Sequence, residues 1–251
     1  MKNLNTYINE KLTIVHKSYS YAPQTKEELR QIIKKRLVDD SNADLNDINV
    51  SKMTNMSDLF NGLDPHNIDI SKWDVSDVRD MSGMFEDCRN FNADLSLWDV
   101  SGVRYMGSMF KNCERFNSEL GGWDVSNVKD MRFMFKGCTE FNSDLSNWNV
   151  SNVKNMVGLF FSCINFDSDL KDWDVSNATD MRYMFDYCEN FNSDLSKWNV
   201  LKVENMIRMF EGCKKFNSDL NNWNVSNVRY MRDAFKDCDS MKELPKWYTK
   251  H

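Results

Sequence analysis

The sequence predicts an α/β repeat solenoid, a leucine-rich-repeat-like curved stack of short parallel strands and short helices behind an N-terminal helical cap. Three columns predict it. Trp73, Trp98, Trp123, Trp148, Trp173, Trp198 and Trp223 recur every 25 residues. Phe60, Phe85, Phe110, Phe135, Phe160, Phe185, Phe210 and Phe235 keep the same interval, and so do Cys88, Cys113, Cys138, Cys163, Cys188, Cys213 and Cys238. Units at a fixed period bury their apolar faces only against their neighbours, so stacking is required for stability. The composition agrees, with 16 Met, 16 Phe and 8 Trp beside only 9 Gly and 3 Pro.

Residues 1–40 read as the cap. Leu4, Ile8 and Leu12 mark a first amphipathic helix, the SYSY segment a strand, and Thr25 with Glu28 a capping box. Leu29, Ile32, Ile33 and Leu37 then form a helical stripe that plugs the stack. Residues 41–240 hold eight units. In the one from Phe91 to Arg115, Trp98 and Val100 alternate with Asp99, which predicts a short strand over Leu95 to Val100, and Val103 begins a second strand or a turn. Met106, Met109, Phe110 and Cys113 fall at i, i+3, i+4 and i+7, which predicts a two-turn helix. Asn55, Asp80, Asp130, Asn155, Asp180 and Asn205 each precede its first Met as N-cap candidates. Strands about 4.8 Å apart beside helices about 8–10 Å apart bend the stack, strands inside. Residues 241–251 are a partial capping unit.

Residues 1–40 carry eight Lys and Arg against five Asp and Glu, +3, which leaves −9 for the remainder of a chain of net charge −6. An acidic repeat region excludes general nucleic-acid binding, which needs a basic face. No stretch approaches the roughly 18 apolar residues of a membrane span, and the N-terminus has no signal-peptide pattern. The expected location is cytoplasmic or particle-associated; a cell-surface location requires another export route.

The unit DMSGMFEDCRNFNADLSLWDVSGV, recurring as DMRFMFKGCTEFNSDLSNWNVSNV, resembles the short leucine-rich-like repeat of BspA-type bacterial surface proteins, which also occurs in mycoplasma and in some phage and large-virus proteins. The resemblance spans residues 41 to 240 and rests on the spaced M-F-x-x-C-x-x-F-N motif. It implies adhesion or protein binding without a shared active site.

The cysteines are odd in number and lack C-x-x-C pairs, so they read as buried core thiols rather than disulfides or zinc ligands. A thioether copper ladder at Met81 and Met84 is disfavoured, because Leu59, Leu159 and Ala234 share the column. No metal and no cofactor are expected. An acidic column, Asp69, Asp94, Glu119, Asp144, Asp169, Asp194 and Asp219, preceded by Asp44, admits two accounts: tight-turn hydrogen bonding or a calcium or basic-ligand stripe. Nearly every polar residue is repeated, whereas a catalytic set would occur once, so an enzyme of unknown type is the distant reading.

Two variable surfaces are candidates for a protein partner. On the strand side the outward column runs Lys72, Leu97, Gly122, Asn147, Asp172, Lys197 and Asn222. On the helix side Phe133, Phe161, Tyr183 and Tyr187 stand where other units hold Gly, Ser, Glu, Lys or Asp. Exposed aromatic clusters are enriched at interfaces. The expected function is a non-catalytic interaction or adhesion module, the alternative a structural component of a phage or virus particle. The oligomeric state is not legible.

Overall fold

The computed structural model describes residues 19–249. Leu4, Ile8, Leu12 and His16 lie outside them. One helix, α1 (Lys26–Asp39), is the only helix or extended ladder among the described residues. Thr25 caps it by accepting from Glu28 N at 3.1 Å, and Glu28 Oε2 accepts from Gln24 N at 2.7 Å. Leu29 and Ile33 are buried and seat α1 against the first unit.

The repeats overturn the α/β expectation. Successive units do lie on one another, but each is a chain of tight turns, and the parallel pairing between units consists of isolated single-residue bridges from Asn55 to Asp80 and onward to Tyr230. Leu95 to Val100 is not a strand: Trp98 N donates to Leu95 O at 3.1 Å, and Val103 N to Val100 O at 2.9 Å. Met106 to Cys113 is not a helix, since Ser108 and Asn112 sit at φ 57° and 61°, which no right-handed helix admits.

Hydrogen bonding explains why turns replace the helix. Met106, Ser108, Phe110 and Asn112 donate forward to the carbonyls of Asp130, Arg132, Met134 and Lys136 at 3.0, 2.8, 2.9 and 2.6 Å. Met109, Lys111 and Cys113 donate back within the unit to Met106, Ser108 and Phe110. An α-helix would turn the N–H groups beyond its first turn back on itself and hold neighbouring units about 8–10 Å apart. The turn chain gives every second one to the next unit and so keeps this side at sheet-like spacing. The predicted layers of inner strands and outer helices are therefore absent from the described repeats. The expected N-caps have another duty: Asn55, Asp80 and Asp130 are bridge residues whose Oδ1 accepts from the N–H two positions on.

The core is a set of aromatic columns. Phe60 to Phe235 stack with ring centroids 5.0 to 5.7 Å apart. Each Trp Nε1 donates to a backbone carbonyl of the preceding unit, as in Trp123 to Leu95 at 3.0 Å, and each Cys thiol does likewise, as in Cys138 to Phe110 at 2.9 Å. These two side chains thus fill the core and satisfy buried acceptors at once.

The ends are closed differently. No unit precedes the first, so its carbonyls at Ser57, Leu59 and Asn61 have no N–H partner of the usual kind. Lys26 Nζ reaches Ser57 O at 3.0 Å, and Arg30 reaches Leu59 O and, at 2.7 Å, Asn61 O. Two side chains of α1 therefore stand in for a missing backbone. The SYSY segment contributes one bridge, Tyr21 to Ile48. At the other end Trp247 stacks on Trp223 at 6.2 Å, and Tyr248 meets Phe235 edge-on at 5.1 Å.

Candidate functional site

The turn face carries two left-handed positions per unit. The first runs Asp58, Gly83, Ser108, Phe133, Gly158, Tyr183, Arg208 and Asp233; the second runs Gly62, Asp87, Asn112, Gly137, Ser162, Tyr187, Gly212 and Asp237. Gly, Asn and Asp tolerate this conformation best, and Ser108, Ser162 and Arg208 adopt it as well. Phe133 (φ 53°), Tyr183 (φ 60°) and Tyr187 (φ 58°) are the aromatic residues that do, and for a side chain with a Cβ the conformation costs roughly 1–2 kcal/mol.

These aromatics form a diagonal ribbon across consecutive units. Phe133 lies over Gly158, where a Cβ would come within 2.5 Å of its ring, and Tyr187 lies over Gly212 in the same way at 2.7 Å. Phe161 meets Tyr183 edge-on at 6.4 Å, and Lys136 Nζ sits 5.5 Å from the Phe133 centroid and 4.8 Å from that of Phe161. The structure therefore joins Phe133, Phe161 and Tyr183 through ring and cation contacts, while Tyr187 packs separately and is 44% exposed. The helix side on which the four were placed does not exist; they stand on turns. The segment 155–165, beneath the ribbon, contains no charged residue.

Lys72, Leu97, Asn147, Asp172, Lys197 and Asn222 are all exposed, Leu97 to 81%. Asn147 and Asp172 line an open groove of about 500 Å³ together with Asp144 and Asp169 of the acidic column. The column itself is made of turns. Asp69, Asp94, Asp144, Asp169, Asp194 and Asp219 each accept through Oδ1 from the N–H two residues on, at 2.9 to 3.1 Å. These bonds hold the carboxyls below their ordinary range, led by the Ser71 and Ser96 hydroxyls at Asp69 and Asp94 and by the Ser146 and Ser196 N–H at Asp144 and Asp194. Glu119, too long for the same short turn, is followed by Gly121 where other units carry a larger residue.

The cysteines are free and buried. Burial raises their thiols, to about 12 at Cys88 and Cys238, which makes them poor nucleophiles. Among the described residues no three His, Cys, Asp or Glu side chains converge to hold a metal ion, and no helix is long and apolar enough to cross a membrane.

Sequence reasoning missed one cluster. Asp186 and Glu211 occupy the same column in consecutive units, each 1% exposed. Lys236 Nζ bonds Glu211 Oε1 at 2.8 Å, and Arg208 Nε lies 3.0 Å from Oε2 as an ion pair without a hydrogen bond; Asp186 Oδ1 likewise has no hydrogen-bond partner. The signal was available in principle: like charges at i and i+25 become neighbours once the units stack.

Residues 27–148, and again 129–248, match the family model described as "Mycoplasma protein of unknown function, DUF285". That agrees with the BspA-type resemblance at the level of a mycoplasma-type repeat family. No curated protein and no solved structure matches the chain.

Proposed function

The chain belongs to the DUF285 family, and from that premise we propose that it is a non-catalytic recognition module whose turn-face ribbon, Phe133, Phe161 and Tyr183 with Tyr187 beside them, is the contact surface for a protein partner. One observation carries the proposal. Three aromatic side chains, Phe133, Tyr183 and Tyr187, occupy left-handed positions that other units, Arg208 apart, fill with the short residues Gly, Asp, Asn or Ser. Local strain persists where function requires the residue, and partly exposed aromatics are the usual anchors of protein interfaces.

The test is the double substitution Phe133→Ser and Tyr183→Ser. Ser108 already holds the same column at φ 57°, so the backbone accepts the change. Immobilised wild type and variant are exposed to the same surface and cytosolic extracts. The expected result is at least one protein captured by wild type and reduced about tenfold or more on the variant, with melting temperatures within about 3 °C. Identical captured sets, or a large fall in melting temperature, would show that the rings are packing elements only.

A further inference from the structure

We propose that the aromatic ribbon is proton-gated: a proton on Asp186, whose carboxyl is buried beside that of Glu211, lets Tyr187 lie on Gly212, and its loss loosens that end of the ribbon. The proposal rests on the ribbon being the contact surface, but the gate is measured on the protein alone.

The column containing the pair runs Asn61, Glu86, Lys111, Lys136, Phe161, Asp186, Glu211 and Lys236. Opposite charges meet at two steps of it, with Lys111 2.5 Å from Glu86 and Lys236 2.8 Å from Glu211. At Asp186 the sequence breaks: an aromatic lies on one side and a second carboxyl on the other. The charged groups that face it are Glu211, Arg208 and Lys236, and both cations are engaged with Glu211. Behind it stand the neutral thiols of Cys188 and Cys213.

The residues around the pair are those of the ribbon. Asp186 N donates to Tyr183 O at 3.2 Å, and Tyr187 N donates to Glu211 O at 2.7 Å. The Tyr187 ring covers Gly212, the neighbour of Glu211. An ionised Asp186 would place a second buried charge beside Glu211, its Oδ1 unbonded and both nearby cations already ion-paired with Glu211, which is costly. Lifting Tyr187 would admit water.

Burial first, and the Glu211 charge second, push the Asp186 carboxyl up to about 7. Because this lies above the unfolded value of 3.8, protonated Asp186 contributes stability that is fully present below about 4 and is lost as pH rises through about 7.

Hydrogen exchange on the full-length protein tests the gate. The reporter is the Tyr187 amide; its control is the Asn112 amide, which makes the equivalent bond to Lys136 O at 2.6 Å. Between pH 6 and 8.5, after correction for intrinsic rates, Tyr187 protection is expected to fall about tenfold relative to Asn112. Asp186→Asn, a residue the column already holds at Asn61, should abolish the fall and raise the melting temperature at pH 8. Glu211→Gln should abolish it too, by freeing Arg208 and Lys236 to pair with Asp186. Protection that tracks the control at every pH, or a fall that survives in both variants, would overturn the gate. Partner capture is scored separately with the Phe133 and Tyr183 variant, so either idea can fail alone.

Discussion

Phe133 and Phe135 are two residues apart in one unit and do opposite work. Phe135 is fully buried, stacks 5.7 Å from both Phe110 and Phe160, and belongs to a column that is Phe in all eight units. Phe133 is half-buried, left-handed, and shares its column with Asp, Gly, Ser, Tyr and Arg. The contrast separates scaffold from message: where the stack demands one shape the residue never changes, and where it demands only a backbone conformation the side chain is free to serve a partner.

The strongest way to break this distinction is Phe135→Ala. It should cost about 3–5 kcal/mol, the usual penalty for emptying a packed aromatic site, read as a large drop in the urea midpoint. A loss no greater than that of Phe133→Ser would erase the difference between the two columns. A smaller effect sharpens it. Trp123→Phe keeps the stacked ring but removes the Nε1 donor to Leu95 O, and should cost about 1–3 kcal/mol by the same measurement.

The smallest single-site effect belongs to the exposed acids. Asp94, Asp144 and Asp194 have lowered folded values, so their contribution is present above the unfolded value of 3.8 and disappears as pH falls through the folded one. Melting temperature should therefore decline in the acid range below about pH 4, and Asp94→Asn should make the decline shallower. Asp186 acts in the other direction and at neutral pH, so the two acid sets are distinguishable on one titration.

Much of the candidate site was legible without coordinates. Phe133, Phe161, Tyr183 and Tyr187 stand out as aromatics in otherwise small or charged columns. Their backbone strain was not legible, because it depends on conformation, although the prevalence of Gly, Asp, Asn and Ser at those two positions was a usable sign of left-handed turns. The Asp186 and Glu211 pair was invisible to a search for local motifs, since its members are 25 residues apart and meet only through stacking.

The sequence by itself determined the period, the eight units and which side chains form internal columns, because burial repeats whatever the backbone does. Tertiary structure alone decided how the chain travels between those columns. A spacing of i, i+3, i+4 and i+7 suits an α-helix and a run of four-residue turns equally well, and an Asp or Asn before it caps either one. What separates them is where the N–H groups go. Only in the stack can Met106, Ser108, Phe110 and Asn112 bond to the next unit, and that exchange favours turns over the helix the pattern suggests.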